Sequence, residues 1–521
     1  MKVLYYHQYF STPEGATGTR SFCFATKLIE SGHQVTIVCL KSNGCCTGLT
    51  GQFKNGKREG IVNGINIIEF NIQYSNHLNL FDRANAFLKY SLLGTLIALM
   101  SNPDIIFATS TPLTAGIPGI FSRWFKGTPF VFEVRDQWPY LPVAMGVIKN
   151  KFVISSLSIL EWLSYHSADS CVALSPGIKD GILSINSHNN SVQTIPNACD
   201  LDIFYPKTNK IKKRKYELLD VRKEYAEDTF IAAFTGAHGE ANGLGFLLDS
   251  AYELKKIGKD NIKIVLIGDG KEKPYLLKRA LKENLDNCYF IDPMPKMELA
   301  RLLREEIDLG LMILKNVPAF YQGTSPNKFF DYLSSGLPII INYPGWLAKV
   351  IKDQDIGIVV PPDEPKIMAK YLVDLSNSPI KLNEMSKNAR KVAEEKFSRT
   401  ILAEEWKDLI EINYRSFKYR RNNYLSRIIY LIFKEIIDRT IAAIMIILML
   451  PFLILIYILI GIKLGKPVFF IQERPGKDSK PFKLFKFRSM KIQYNSDGNL
   501  LPDKQRATSF GKWLRKTSID E

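Results

Sequence analysis

TFIAAFTGAHGEANGL, Thr229 to Leu244, is an apolar run that breaks at two glycines and a histidine and continues into a helical pattern. Strand, glycine-rich turn and helix in that order open a parallel sheet covered by helices. Gly236 and Gly239 let backbone approach a ligand closely, and the free N–H groups of such a turn suit a diphosphate. His238, between those glycines, reads either as a group that stabilises departing nucleotide charge or as a structural histidine.

The same alternation runs outward on both sides. Before this stretch, VLYY, QVTIVCL, INIIEF, DIIFATS, PFVFEV, SCVALS and VQTIPN read as strands, with helical patterns over Arg20–Glu30, Ala84–Met100, Leu113–Phe125 and Phe152–His166. A Lys-rich linker, KTNKIKKRKYELLDVRKEY, interrupts it; IKIVLIGDG, NCYFID, IDLGLMIL, LPIIIN and IGIVVPP then continue it. The expected fold is α/β, two Rossmann-like doubly wound domains facing a cleft. Their expected bounds are residues 1–205 and 206–415, with Thr400–Tyr414 closing the second. By itself the alternation equally allows a dehydrogenase or a periplasmic-type binding protein.

Charged groups cluster where such sheets bind ligands, at strand C-terminal ends. YFSTPEGATGTRSF follows the first strand; Gly15, Gly18 and Arg20 read as an acceptor-side loop or as a plain surface turn. The loop lacks the GxGxxG fingerprint, which counts against NAD. FEVRDQWPYLP puts Glu133, Arg135 and Asp136 beside a Trp: an ion-paired strand end, or a reaction centre with Asp136 taking a proton. In the second domain, LIGDG supplies Gly268, Asp269 and Gly270. SPNKFFDYLSSGLPII supplies Lys328 and Asp331, three apart and so on one helix face, for a diphosphate and for ribose hydroxyls. An ordinary amphipathic helix is the competing reading.

The net charge of +17 is uneven: Ser416–Glu521 carries 20 Lys+Arg against 8 Asp+Glu, a net +12, leaving +5 for the rest. A basic tail suits an anionic membrane and phosphate ligands; no nucleic-acid fold signature accompanies it, so nucleic acid is not expected as a partner. After a basic linker at 416–427, residues 428–465 hold the uncharged run Thr440–Ile462. Its 23 residues would span roughly 34 Å as a helix. Both flanks are basic and Pro451 lies near the middle, so the expectation is a re-entrant segment at the cytoplasmic face of the inner membrane. The seven cysteines form no CxxC pair and read as reduced thiols.

HQYFSTPE…GTRS, FEVRDQWP, GAHGEANGL and SPNKFFDYLSSGLP together resemble the retaining GT-B glycosyltransferases of bacterial surface-polysaccharide synthesis, in particular the subgroup adding L-N-acetylfucosamine-type residues. The resemblance covers about residues 1–415. It implies a nucleotide-sugar donor, a polyprenyl-diphosphate-linked acceptor and no cofactor for this part. Many relatives carry two acids eight positions apart near the donor; Asp331 matches the second, while position 323 is Gly. TSTPLTAG lacks a His found after this strand in many relatives.

FKEIIDR, PVFFIQERPG, FKLFKFRSMK and GKWLRKTSIDE resemble the bacterial sugar transferase family, monotopic phosphoglycosyl transferases that load a phospho-sugar onto polyprenyl phosphate. That resemblance implies Asp520 as nucleophile, Glu521 and Mg²⁺ managing charge, and Arg474, Lys486 and Arg488 holding phosphates. The family's later Pro-Arg-Pro motif does not appear, so residues 466–521 are expected to make a poor phosphoglycosyl transferase as they stand. The leading reading is a membrane-associated glycosyltransferase fused to part of a phosphoglycosyl transferase. The alternatives are a bifunctional enzyme, if the chain is a fragment, or a membrane-tethered sugar-nucleotide scaffold.

Overall fold

A computed structural model describes residues 1–15, 19–42, 44–74, 78–187, 191–206, 229–420, 439, 442, 446, 449–475, 481–496, 498–517 and 519. The chain forms two compact units, Met1–Asn422 and Asn423–Glu521. The Lys-rich linker lies outside the described residues.

The first unit holds two sheets. One contains β1 (Lys2–Tyr6), β2 (Gln34–Ser42), β3 (Lys57–Val62), β4 (Ile65–Tyr74), β5 (Ile105–Thr109), β6 (Phe130–Val134), β7 (Ser170–Ala173) and β8 (Val192–Thr194). Its order is β3-β4-β2-β1-β5-β6-β7-β8, parallel except for the β3–β4 pair. Every residue of β5 and β6 is buried, because helices cover both faces of a parallel sheet. β3 was not expected: an edge strand of alternating exposure carries little apolar signal. Its turn, Asn63–Gly64 at φ 49° and 79°, has the chemistry of a two-residue hairpin.

The other sheet contains β9 (Phe230–Thr235), β10 (Ile262–Ile267), β11 (Cys288–Ile291), β12 (Leu309–Met312), β13 (Ile339–Ile341) and β14 (Gly357–Val359), all parallel, in the order β11-β10-β9-β12-β13-β14. Strand order reverses between β1 and β5 in the first sheet and between β9 and β12 in the second. Crevices at such reversals bind ligands.

One boundary needs correction. The helix Arg399–Arg420, expected to close the second domain, buries Leu402, Ala403, Trp406, Leu409 and Ile410 in the core of the first. Trp406 stacks on Phe24 at 4.6 Å and meets Phe107 edge-on at 4.9 Å. The helix Pro379–Lys396 before it packs Ala389, Val392 and Ala393 on the second domain.

In the second unit, β15 (Phe469–Pro475) and β16 (Pro481–Phe487) form an antiparallel hairpin. Residues 449–464 are helical, Pro451 among them; much of the apolar run before 449, on the near side of the break expected at Pro451, lies outside the described residues. Ile456, Ile460 and Leu464, spaced by four, pack with Val468 and Leu514. Leu450, Ile454, Leu455, Ile458 and Ile462 remain exposed on the same helix. Among the described residues no helix is long and apolar enough to cross a membrane.

Candidate functional sites

The loops after β9 and β10 cross. Gly236 N–H donates to Ile267 O at 2.9 Å, His238 N–H to Asp269 O at 2.8 Å, and Glu272 N–H to His238 O at 2.9 Å. A Cβ on Gly268 would strike the Gly236 carbonyl, and one on Gly270 the His238 backbone; both have positive φ, 148° and 159°. These glycines are therefore packing requirements of the crossing. Gly239 has open space around it, and Asp269 is exposed at the tip of its loop.

Lys328 reaches under this crossing from the helix Asn327–Ser334. Its Nζ lies 3.6 Å from the Phe234 ring centroid and 3.4 Å from where a Gly236 Cβ would stand. Burial pulls its pKa down to about 7. A poorly hydrated ammonium at a strand-to-helix turn is a site that gains from an anion.

His238 is fully buried between Phe234 and Phe290, its ring nitrogens making no hydrogen bond. Burial, with Lys273 next, lowers its pKa to about 4. The imidazole is neutral at pH 7, so any stabilisation of departing nucleotide charge by His238 comes from a ring N–H rather than from an imidazolium. Asp331 also departs from expectation. Its carboxyl is raised to about 7 by burial, and its charged neighbours are Lys296, Asp200 and Arg399 rather than Lys328. Asp200 is ion-paired with both Lys296 and Arg399.

In the first domain, Arg20 and Glu133 are not exposed to a ligand. Arg20 is 3% exposed and Glu133 0%; Arg20 Nη2 lies 2.8 Å from Glu133 Oε1. Arg20 also donates to the carbonyls of Ile195, at 2.8 Å, and Pro196. This corrects the acceptor-binding role of Arg20 and the catalytic role of Glu133: they form a buried pair between the helix Arg20–Glu30 and β6. Gly15 is packed too, since a Cβ there would strike Ser11 Oγ. Gly18 lies outside the described residues.

Arg135 and Asp136 open into a cleft of ≈ 390 Å³ lined by His7, Tyr9, Thr111 and Asn197 from the first domain and by Thr324–Asn327 from the second. Burial raises the Asp136 pKa, and Arg135 opposes the shift. His7, Thr111 and Asn197 escaped the sequence reading, because a strand-end His or Thr carries no charge pattern. The domains meet beside the cleft: Asn197 Nδ2–H donates to Ser325 O at 2.6 Å, and Ser175 Oγ–H to Gln322 O at 3.0 Å. Gly323, where an acid was looked for, lies at this seam; a Cβ there would stand 3.8 Å from Ile178.

The second unit holds a cavity of ≈ 740 Å³ lined by Phe469, Phe487, Tyr494, Lys486, Arg506 and Arg515 among others. Arg488 borders it, but its guanidinium donates to the carbonyls of Leu464, Gly465 and Lys466, which ends the 449–464 helix. That use corrects its assignment to phosphate. Arg474 is exposed on β15, with Nε–H donating to Gln472 Oε1 at 3.3 Å, and does not line the cavity. Asp520 and Glu521 lie outside the described residues. Among the described residues no three acidic, His or Cys side chains gather as metal ligands.

Three family models match the chain: "Glycosyl transferase 4-like domain" over residues 15–198, "Glycosyl transferases group 1" over 217–392 and "Bacterial sugar transferase" over 429–521. The tail is 48% identical over 92 residues to an uncharacterized sugar transferase, EpsL, of Bacillus subtilis (strain 168), covering 18% of this chain and 45% of that protein. It is 42% identical over 94 residues to a putative undecaprenyl-phosphate N-acetylgalactosaminyl 1-phosphate transferase of the same organism, covering 18% and 52%. The chain thus spans about half the length of these curated relatives. Anabaena HepE, solved in complex with UDP and glucose, superposes with a TM-score of 0.58 at 14% identity over 79% of this chain and 99% of that one, a likeness of fold. The chain joins a GT-B glycosyltransferase, made of the 4-like and group 1 segments, to a bacterial sugar transferase segment.

Proposed function

We propose that the protein is a membrane-associated, retaining glycosyltransferase of polysaccharide synthesis, of the O-antigen or capsule kind, acting at the cytoplasmic face of the inner membrane. It moves a sugar from a nucleotide sugar to a polyprenyl-diphosphate-linked sugar. The tail contributes to a phosphoglycosyl transferase site that handles polyprenyl phosphate.

The observation that carries the reading is Lys328 beneath the Gly236 turn, at the β9/β12 reversal of the second sheet. A diphosphate there meets an ammonium and loop N–H groups, which stabilise leaving-group charge as the glycosidic bond breaks. In the cleft between the domains, Asp136 faces an incoming hydroxyl and takes its proton. Retention of configuration rests on how the donor is held. HepE, a protein of the same fold, is described with UDP and glucose, and one relative of the tail is named for undecaprenyl phosphate.

Membrane association draws on the exposed apolar side chains of the 449–464 helix and the basic charge around it. The apolar run is proposed to enter the bilayer and return to the same side. Gly476→Cys should then resist an impermeant thiol reagent in intact cells and react after lysis. Labelling in intact cells would show a span.

The activity is tested by nucleoside diphosphate release from a donor panel, with and without a polyprenyl-diphosphate sugar in vesicles. Release that rises with the lipid acceptor supports transfer. Donor binding without release under either condition supports a scaffold instead.

A further inference from the structure

We propose that the outer face of the helices Leu80–Met100, Ile117–Lys126 and Lys151–Ser167 rests on an anionic bilayer and holds the mouth of the cleft at the lipid surface. The inference rests on the reading of a membrane-associated transferase and gives the first domain a lipid contact of its own, apart from the tail's. The three helices lie side by side over one face of the first sheet and pack their inner sides into one core. Their outer sides are apolar. Leu92 and Leu96 of the first, Phe121 and Phe125 of the second, and Ile159 and Trp162 of the third are each more than a third exposed. The helices Gly245–Lys256 and Pro365–Ser376, which cover the second sheet, expose one large apolar side chain among the described residues, Tyr252. Such side chains scattered singly are ordinary on a soluble surface; a contiguous face of them marks an interface.

The charge pattern selects lipid over a protein partner. Lys89, Lys149 and Lys151 are exposed on or beside these helices. The helices carry two carboxylates: Asp82 in the first turn of one, and Glu161, which is buried with Tyr165 Oη donating to it at 3.0 Å. Lysines around an apolar face with almost no exposed carboxylate match the phosphates and acyl chains of an anionic leaflet. Exposed Trp162 and Tyr140 suit the level of the headgroups. A second copy laid on this face would set two positive surfaces against each other. Along the chain, the face continues to the cleft. Asp136 opens into the cleft, and the segment after it, through the short helix Tyr140–Ala144, exposes Tyr140, Val143, Met145 and Val147 before the third helix begins. A lipid-linked acceptor needs that continuity, because its sugar must reach Asp136 while its isoprenoid chain stays in the bilayer.

Photolabelling from the bilayer tests the contact. The full chain is reconstituted in phosphatidylcholine vesicles, with and without phosphatidylglycerol, containing a phospholipid with a photoreactive group on its acyl chain. Labelled peptides are then mapped by mass spectrometry. Peptides of Leu80–Met100 and Lys151–Ser167 should be labelled, about fivefold or more strongly with phosphatidylglycerol present, and those of Gly245–Lys256 should not. Leu92→Glu, Phe125→Glu and Ile159→Glu combined should abolish that labelling. In the same variant KM for undecaprenyl-diphosphate N-acetylglucosamine in vesicles should rise about tenfold, while kcat with its soluble geranyl analogue stays within about twofold. Labelling confined to the tail overturns the proposal. So does an amine-reactive crosslink joining Lys89 or Lys151 of two copies in place of lipid labelling, which makes the face an interface between chains. Should the triple variant fail to fold, Lys149→Glu with Lys151→Glu decides: severalfold weaker labelling supports the contact and unchanged labelling overturns it. A chain labelled on these helices that releases no nucleoside diphosphate from any donor sinks the transferase reading and leaves the contact standing. One that extends both acceptors without such labelling does the reverse.

Discussion

The Lys328 ammonium lies 3.6 Å from the centre of the Phe234 ring, where β9 gives way to the Gly236 turn. Burial alone sets its lowered pKa of about 7, with no carboxylate acting against it. A bound diphosphate would supply the missing charge. Lys328→Ala should therefore weaken nucleoside diphosphate binding by about 1.5–3 kcal/mol, read by titration calorimetry. Unchanged affinity would remove the donor site from this turn.

The same residue makes binding depend on pH. The bound anion raises the Lys328 pKa, so binding takes up a proton above pH 7. Affinity should fall by as much as about tenfold per pH unit above about 7, until the bound-state pKa is reached. Calorimetry in two buffers of different ionisation enthalpy measures the uptake. Lys328→Ala should flatten the profile; a slope that survives that substitution belongs to another group.

Arg20 and Glu133 are a buried pair, and breaking such a pair from one side leaves an uncompensated charge. Glu133→Gln or Arg20→Met should cost about 3–5 kcal/mol of stability in denaturant unfolding. A variant of normal stability with lost turnover would restore Glu133 to the chemistry.

Asp136 reaches the cleft, and its role is expected at the reacting hydroxyl. Asp136→Asn should lower kcat by about 10²–10⁴ while donor Kd holds within about twofold. Equal losses in kcat and donor affinity would point to substrate holding instead.

Glu161 accepts from Tyr165 Oη at 3.0 Å, yet burial raises its carboxyl to about 7. An acid with a raised folded-state pKa favours the fold while protonated. Its contribution is intact below about pH 4 and lost as pH climbs towards 7. Glu161→Gln should raise stability by about 1 kcal/mol at pH 8 and not at pH 4. An equal change at both values would show that its charge is already paid for by solvent.

The sheets were legible because their central strands are continuous apolar runs: IKIVLI in β10 and FVFEV in β6 need no partner to declare themselves. What failed depends on contacts far apart in sequence. Arg20 and Glu133 are separated by 113 positions, so two lone charges at strand and helix ends read as ligand groups. Trp406 advertised an apolar helix face but not which sheet it covers. Lys328 and Asp331 share a helix face by spacing, and burial sends one towards Phe234 and the other towards Asp200. Arg488 lies in a basic, aromatic stretch that suggests phosphate, yet it caps a helix end formed 22–24 residues earlier. His7 and Thr111 became visible only once β1 and β5 were side by side.

Central to this account is transfer of a sugar from a nucleotide held at Lys328 to a lipid-linked sugar whose hydroxyl meets Asp136. Mass spectrometry of the lipid product tests it directly. Vesicles carrying the full chain and a polyprenyl-diphosphate sugar are incubated with each donor of a panel. The account predicts one donor that extends the lipid by a single sugar, linked with the donor's anomeric configuration, and extension at least about tenfold slower in Lys328→Ala. Intact nucleotide binding with no extended lipid from any donor, or extension that Lys328→Ala leaves unchanged, would contradict it.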